Sequence, residues 1–384
     1  MVPRETIYLD YNASTPAAPE VVEVMMPWIS RPANASSAHR PGRHAAAALA
    51  QARDDVGRAV GAAPARITFT SGATESNNLV FNGLPMPGQA GRTRLLVLET
   101  EHKAVLEAAR GATERGWQLD LLPVQANGLI DLDALDALLG EDVHLVSVQL
   151  VNNETGVIQP LAEVSHRCHG VGAVVHTDAT QALGKVPLDL LAIGADLASF
   201  SSHKVYGPQG VGALYQSRTG MLTPSIFGGG QENGFRPGTE NLAGAVGFGA
   251  AAKLAVASLQ PRRTQAQRQT ALLAALLSEL VPGVKVNVPL GTPRVPNTLS
   301  LRVPGADAEA LVAHTPGVAF SAGSACTSMV PGPSHVLTAM LNDRSAATEC
   351  VRLSTGWPTI DDEIHAAAAQ LAASVTRVRS MSLT

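Results

Sequence analysis

The sequence predicts an α/β protein, with a mostly parallel β-sheet in a large domain and a smaller α+β domain beside it. Two observations predict the sheet and its helices. Short β-rich runs alternate with helical stretches from about residue 66 to about residue 215, and a long Ala/Leu-rich helical pattern follows. The third observation is length, because 384 residues exceed one average domain and favour two domains of unequal size.

Five β-rich runs are the candidate strands of the large sheet. They are RITFT at 66–70, RLLVLE at 94–99, HLVSVQLV at 144–151, AVVHTDA at 173–179 and DLASFS at 196–201. Ala/Leu-rich or amphipathic segments separate them, which predicts helices on both faces of the sheet. Ligands of such folds bind at the carboxyl ends of the strands, so the loops after these runs are the first places to search for chemistry.

A second, smaller domain is predicted after the helical pattern at about 240–280, which LQPRR interrupts near Pro261. We predict a large domain over 16–256 and a small domain over 1–15 and 257–384. Four short strands belong to the small domain: KVNV at 285–288, TLSLRV at 298–303, VAFSA at 318–322 and CVRLST at 350–355.

The composition predicts a compact globular protein. Hydrophobic residues make up 45% of the chain and charged residues 16%, and the net charge is -4. This net negative charge gives no sign of nucleic acid or an anionic membrane as a partner. The N-terminus shows no apolar leader and no stretch reaches the length of a membrane span, so we expect a soluble, cytoplasmic protein.

The three cysteines, Cys168, Cys326 and Cys350, favour reduced thiols over a disulfide framework because their number is odd and their spacing wide. Cys326 lies in FSAGSACTSMVPGPSHV, whose small residues predict a mobile loop that carries a thiol. Cys350 lies in an apolar strand and is interpreted as a buried small residue. His166 and His169 can share a helix face, but no second ligand cluster accompanies them, so we predict no metal site.

An anion site is predicted in ITFTSGATESNNL, where a strand, a Ser-Gly turn and a helix start follow one another. The helix start supplies unpaired N–H donors and partial positive charge, and Thr74 and Ser76 add hydroxyls, which suits a phosphate. The alternative is an ordinary helix capped by Thr74 or Ser71.

Asp178 ends a β-rich run, and Gln181 follows it at i+3. A carboxylate at the end of a central strand is costly to bury without a cationic partner, and a pyridinium nitrogen is one such partner. The alternative is an aspartate that caps a helix.

Lys204 follows a strand in DLASFSSHKVYGPQGVGALY, between small polar residues and a Gly/Pro-rich loop. A lysine at this position can form a Schiff base once desolvation lowers its pKa. The alternative is a lysine in a surface loop.

Nine strings of the chain resemble the NifS/IscS-like cysteine desulfurases in order and approximate spacing: YLDYNASTP, FTSGATESNN, ETEHKAV, VNNETGVIQP, HTDATQALGK, SFSSHKVYGPQGVG, GGGQENGFRPGTEN, SAGSACTS and VRLSTG. The resemblance runs from about residue 7 to about residue 365. It implies the fold-type I architecture of class V aminotransferases, pyridoxal 5'-phosphate as the cofactor, and a homodimer with active sites at the subunit interface.

The resemblance implies that the cofactor phosphate binds at the helix start through Ala73 and Thr74, with further contacts from Ser201 and His203. Thr239, in RPGTEN, matches the threonine that reaches the phosphate of the partner subunit. Around the cofactor ring the implied residues are His102 stacked over the ring, Asn153 at its hydroxyl, Asp178 at its protonated nitrogen with Gln181 beside it, and Lys204 as the Schiff-base lysine.

The implied activity is that of a cysteine desulfurase, which converts L-cysteine to L-alanine. Arg352 would bind the substrate carboxylate, with Asn153 nearby, and Lys204 would remove the α-proton. Cys326 would take the sulfur as a persulfide and pass it to an acceptor protein, with His102 as a proton carrier; iron–sulfur cluster assembly is one pathway that uses such enzymes. The alternatives are a selenocysteine lyase, another lyase or transaminase on the same cofactor, or a catalytically silent docking subunit of a sulfur-transfer complex.

Overall fold

The computed structural model describes residues 6–32, 34–88, 91–323 and 332–381. In chain order these residues form β1 (Ile7–Tyr8), α1 (Pro19–Ile29), α2 (Arg40–Ala59), β2 (Ile67–Thr70), α3 (Ala73–Asn82), β3 (Arg94–Leu98), α4 (Lys103–Thr113), β4 (Gln118–Leu122), α5 (Leu132–Leu138), β5 (Val143–Ser147), α6 (Leu161–Gly170), β6 (Val174–Asp178), β7 (Leu197–Ser201), β8 (Gly212–Gln216), α7 (Leu242–Ala257), α8 (Leu259–Leu280), β9 (Lys285–Val286), β10 (Thr298–Arg302), α9 (Ala308–Ala313), β11 (Val318–Ala319), β12 (Ser321–Ala322), α10 (His335–Leu341), α11 (Arg344–Thr348), β13 (Cys350–Ser354) and α12 (Asp361–Met381).

The large sheet has seven strands in the order β2-β8-β7-β6-β5-β3-β4. The ladders from β7 through β6, β5 and β3 to β4 are parallel, and β8 runs antiparallel to both of its neighbours. The predicted mostly parallel sheet is therefore confirmed, and all five predicted runs contain strands of it. The sequence missed β4, because only one of the five residues of this edge strand is buried, so it lacks the buried apolar run that marks the others.

Helices cover both faces of this sheet, as predicted. Leu96 and Leu98 of β3 point into one hydrophobic core, which also contains residues of α1, α2 and α7. Leu95 and Val97 point into another, which contains residues of α3 and α4. Because successive side chains of a strand alternate between its faces, the buried strand holds the two helical layers together.

A separate hydrophobic core lies around the sheet β12-β13-β10-β9, whose pairs are antiparallel. It joins Leu9 from the N-terminal segment to residues from Leu273 onwards, chiefly in α8, β10, β13 and α12. The helical pattern at 240–280 is two helices with a 71° bend between them. They meet at Ser258, and Pro261 lies in the first turn of α8, where the N–H that proline lacks is not needed. The domain limits at 15/16 and 256/257 stay a prediction.

Among the described helices, none is long and apolar enough by itself to cross a membrane. The helices α7 and α8 meet the length and composition criterion only as a bent pair.

Candidate active site

The carboxyl ends of the central strands open onto a cavity of about 370 Å³, called the site cavity below. Ten of the predicted site residues line it: Ala73, Thr74, His102, Asn153, Asp178, Gln181, Ser201, His203, Lys204 and Arg352. Thr239 is exposed and does not line the cavity in the single chain described. Cys326 lies outside the described residues. The fold thus brings together side chains that are up to 279 positions apart, counted from Ala73 to Arg352.

The turn between β2 and α3 forms one end of the site cavity. Gly72 is the N-cap of α3 and no side chain caps the helix start, so the alternative of an ordinary cap by Thr74 or Ser71 is wrong. A Cβ atom at Gly212 of β8 would lie 2.6 Å from the Gly72 Cα, so only glycine lets the strand approach the turn this closely. The result is an uncapped helix N-terminus that lines the cavity beside Ser201 and His203.

Asp178, the last residue of β6, is buried and only 7% exposed. Its Oδ2 accepts a hydrogen bond from Asn77 Nδ2 at 2.9 Å, and its Oδ1 accepts one from the Thr180 N–H at 3.0 Å. The second bond closes a local turn, as expected if Asp178 caps the start of a helix. No Lys, Arg or His of the described ranges forms an ion pair with this carboxylate, which leaves its charge uncompensated next to the cavity.

A buried polar network lies beside Asp178. Glu101 is 0% exposed, and its Oε1 accepts from the Ser147 hydroxyl at 3.3 Å. The same hydroxyl is 2.8 Å from His176 Nδ1, and His176 Nε2 is 3.1 Å from Ser199 Oγ. Burial and the nearby Asp178 carboxylate raise the pKa of Glu101 well above its usual range, and burial lowers the pKa of His176 to about 4. His176 is therefore neutral at neutral pH, and burial disfavours the charged form of Glu101.

Lys204 ends a 3-10 turn directly after β7 and is partly buried. Its Nζ donates to the main-chain carbonyls of Asn12 and Ala13, each at 2.7 Å, so the alternative of a lysine in a surface loop is wrong. His203 Nδ1 is 3.1 Å from Ser14 Oγ. Burial, with the charge of Lys204, lowers the pKa of His203 to about 4, so its ring is neutral and can donate from one nitrogen only.

The N-terminal segment supplies a residue that sequence reasoning missed. Asn12 is 2% exposed and binds two lysines, Lys204 through its main-chain oxygen and Lys185 through Oδ1 at 2.9 Å. Gln181 completes the arrangement, because its Nε2 donates to the Asn12 carbonyl at 2.9 Å and its Oε1 accepts from Lys185. Burial, with the charges of Lys204 and Arg352, lowers the pKa of Lys185 well below its usual range.

Arg352 is the largest fully buried side chain of the described residues, and it lies in the middle of β13. One terminal nitrogen donates to Asp10 Oδ1 at 2.5 Å and to Ser321 Oγ at 3.0 Å, and the other donates to the Asn153 carbonyl at 3.1 Å. These bonds fix the guanidinium at the cavity wall in a defined orientation. A fixed, planar cation of this kind suits a carboxylate ligand.

His102 is the N-cap of α4, and its Nδ1 accepts from the Ala104 N–H at 3.1 Å. In the neutral ring Nε2 then carries the proton.

Two of the three cysteines lie in the part of the chain that the structure describes. Cys350 is buried, and burial raises the pKa of its thiol to about 11, as the sequence interpretation expects of a structural residue. Cys168 is also buried, and burial raises its pKa to about 12.

One ion pair attaches the segment before Thr239 to the helix start of the site, and a second attaches it to α2. Arg236 Nε donates to Glu75 Oε1 at 2.8 Å, and Glu75 belongs to the first turn of α3. Glu232 accepts two hydrogen bonds of 2.6 Å from Arg53 of α2. Gly238 and Glu240, the neighbours of Thr239, line a small surface cavity together with Ser71 of the β2–α3 turn.

Seven further residues line the site cavity and were not predicted: Asn12, Ala13, Ser71, Gly72, Gln149, Val151 and Thr180. Several lie in predicted segments, such as YLDYNASTP and HLVSVQLV, but residue type alone gives them no role.

The chain is similar to known proteins over nearly its whole length. The family model of class V aminotransferases matches residues 7–366. A protein of Frankia sp. (strain EuIK1) named cysteine desulfurase is 45% identical, over 98% of this chain and 93% of its own. Cysteine desulfurase IscS of Anaeromyxobacter dehalogenans (strain 2CP-C) is 39% identical, over 98% and 94%. A solved structure of a NifS-like protein has a TM-score of 0.90 and 32% identity, and covers 97% of this chain and 100% of its own.

Proposed function

The chain belongs to the class V aminotransferase family, and we propose that it is a cysteine desulfurase that uses pyridoxal 5'-phosphate. Such an enzyme converts L-cysteine to L-alanine and passes the sulfur to an acceptor. The observation that carries the proposal is the convergence of Lys204, Asp178, Arg352 and an uncapped helix start on one cavity, in a chain 45% identical to a cysteine desulfurase.

The residues of the site cavity fit the cofactor. The helix start at Ala73 and Thr74, with Ser201 and His203, offers donors for a phosphate. The uncompensated Asp178 carboxylate would bind the protonated ring nitrogen, with Gln181 beside it, and the Lys204 amine would bind the cofactor aldehyde. His102 and Asn153 would contact the ring and its hydroxyl. The bound cofactor draws electrons away from the α-carbon of an attached amino acid, which makes the α-proton acidic.

The side chains of the cavity would then divide the work on the substrate. Arg352, oriented by Asp10 and the Asn153 carbonyl, binds the substrate carboxylate. The Lys204 amine takes the α-proton, and the Asn12 and Ala13 carbonyls accept hydrogen bonds from the amine when it carries that proton. His102, with its proton on Nε2, is placed at the cavity wall to exchange a proton with the substrate thiol.

Sulfur transfer would take place at Cys326. Its thiolate attacks the substrate sulfur, an S–S bond forms and the carbon–sulfur bond breaks. The sulfur ends as a persulfide on Cys326, and the carbon skeleton, after taking up protons, leaves as alanine. No external oxidant or reductant is needed, because cysteine plus thiol gives alanine plus persulfide.

The proposal extends to the assembly. We propose a cytoplasmic homodimer in which Thr239 reaches the phosphate bound to the partner subunit. The exposure of Thr239 and the attachment of its segment to the α3 helix start support this role. An acceptor protein would receive the sulfur, with iron–sulfur cluster assembly as one destination; neither nucleic acid nor a membrane is required. The lyase, transaminase and silent-subunit alternatives are not favoured, since the relatives are named cysteine desulfurases.

Mass spectrometry after brief incubation with cysteine tests the function, with the native chain compared with Cys326→Ser and alanine measured in parallel. A sulfur adduct on the Cys326 peptide, matched by alanine and absent from the variant, is the expected result. Pyruvate in place of alanine, or alanine formed at an equal rate by the variant, would identify a lyase or transaminase instead.

A further inference from the structure

The two ends of the chain segment that contains Cys326 meet at one buried carboxyl group. Gly323 precedes residues 324–331, and Ser334 follows them closely. A Cβ atom at Gly323 would lie 2.7 Å from Leu337 Cδ1, 3.2 Å from Ser334 Cβ and 3.5 Å from Glu154 Oε2. The backbone on one side therefore packs directly against the residues on the other side, with Glu154 next to both.

Glu154 connects this meeting point to the site cavity. It is only 6% exposed and follows Asn153, which lines the cavity. The Ser334 hydroxyl donates to Glu154 Oε2 at 2.5 Å, while it accepts from the Leu337 N–H at 3.1 Å. Glu154 forms no ion pair with a described residue, so the serine hydroxyl is its principal side-chain partner.

Two more hydrogen bonds attach the same chain segments to cavity residues. Before the segment, Ser321 Oγ accepts from Arg352 at 3.0 Å. After it, His335 Nε2 donates to the main-chain carbonyl of Glu101 at 2.9 Å, directly beside His102. Each attachment therefore ends at, or one residue from, a side chain that lines the site cavity.

We propose that Glu154 is a positioning residue for Cys326: with Ser334 and the backbone at Gly323 it holds together the described residues on either side of 324–331, next to Asn153 of the site cavity. The role rests on the proposed function, because it assumes that Cys326 takes the sulfur. Holding the flanking residues beside the site cavity would raise the effective concentration of the Cys326 thiol there.

The charge state of Glu154 gives the proposal a pH dependence. Burial raises the pKa of Glu154 to about 7, although the Ser334 hydroxyl and the charge of Arg352 partly lower it. The other groups that act on this carboxyl are His102 and Lys103, at the start of α4, and Cys350 of β13. Above this pKa the carboxylate accepts a charge-assisted hydrogen bond from Ser334, which is stronger than a neutral one.

The experiment compares Ser334→Ala with Ser345→Ala, whose serine is exposed on the neighbouring helix α11. Peptide mass spectrometry measures the rate at which iodoacetamide alkylates Cys326 without cysteine present, and the rate of persulfide formation with it. The absorbance of the bound cofactor serves as the control for the site cavity.

We expect Ser334→Ala to slow persulfide formation about tenfold, to change the Cys326 alkylation rate, and to leave the cofactor absorbance unaltered. Ser345→Ala should match the native chain. Equal alkylation and persulfide rates in the two variants would overturn the positioning role. If the native chain forms no persulfide, the proposed function fails, and the alkylation rates alone decide the role of Glu154.

A second variant tests the charge of Glu154 separately from its shape. Glu154→Gln retains shape and an acceptor for Ser334 but cannot ionise. The ratio of native to Glu154→Gln persulfide rates should rise as pH increases from about 6 to about 8, through the Glu154 pKa of about 7. The ionisation of Cys326 cancels in this ratio. A ratio that does not change with pH would contradict the charge-assisted bond.

Discussion

The site cavity and a second cavity are both lined by Lys204, but they differ in size and in charge. The site cavity, of about 370 Å³, combines the α3 helix start with the Asp178 carboxylate. The second cavity has about 50 Å³. No Asp or Glu is found among the described residues that line it, which include Tyr11, Lys185, Tyr206, Arg262 and Trp357.

Each cavity is lined by a partly buried lysine, Lys204 in the site cavity and Lys185 in the second cavity, and the two amines share one partner. Lys204 binds the main-chain oxygen of Asn12 and Lys185 binds its side chain. Near the second cavity Arg262 stacks over Tyr206 at 4.6 Å, so that region is already cationic. A lysine amine beside a cavity therefore does not by itself define a cofactor site, because Lys185 has one as well. The proposed function also requires an uncapped helix start and a carboxylate without an ion-pair partner in the same cavity, and of the two cavities only the site cavity has the α3 helix start and Asp178.

The largest expected effect is the loss of activity in Lys204→Ala. Without this amine neither cofactor attachment nor α-proton removal can proceed, so alanine formation from cysteine should fall by about 10³-fold or more. The exposed Lys253→Ala, on α7, is the matched control and should keep full activity. Substantial turnover by Lys204→Ala would contradict the proposal that Lys204, and not Lys185, binds the cofactor.

Asp178→Asn should cost less, about 10²-fold in alanine formation, because the amide retains the bond from the Thr180 N–H but cannot stabilise a protonated ring nitrogen. The absorbance spectrum of the bound cofactor should shift at the same time. Asp133→Asn, an exposed residue of α5, is the control. A native spectrum and rate in Asp178→Asn would contradict the pairing.

Lys185→Met should lower activity about tenfold, since Asn12 and Gln181 lose a shared donor and Lys204 loses part of its support. A lysine whose pKa is lower in the folded state binds fewer protons there than in the unfolded chain. The native free energy of unfolding should therefore rise with pH, up to the unfolded lysine pKa of about 10.4. Denaturant titrations at several pH values should show a smaller rise for the variant; identical slopes would rule out the lowered pKa.

Glu101→Gln should have the smallest effect, within about threefold of native activity, because burial raises the pKa of the Glu101 carboxyl and favours its neutral form, whose shape an amide preserves. Steady-state rates and a thermal unfolding curve check this expectation. The contrast with Asp178→Asn is informative, since the same chemical change is made in two neighbouring carboxyl groups. A loss as large as that of Asp178→Asn would show that Glu101 carries a charge.

The strand ends were predictable from the sequence, whereas the long-range partners were not. Asp178 and Ser201 end β-rich runs, and in a parallel sheet such ends meet at one edge, so local pattern was enough to group them. Asn12 meets Lys204 across 192 positions, and no periodicity links them. Likewise, nothing local to VNNETG indicates that Glu154 meets Ser334, 180 positions away. The positions of such residues depend on how the cores of the large sheet pack against the core of the small sheet.

Borohydride reduction of the holoenzyme, followed by peptide mapping, tests the central claim most directly, because it fixes the cofactor permanently to the lysine that carries it. The structure predicts the label on the peptide that contains Lys204 and none on the peptide that contains Lys185. A label on Lys185, or a loaded enzyme in which neither lysine is labelled, would contradict the assignment of the site cavity.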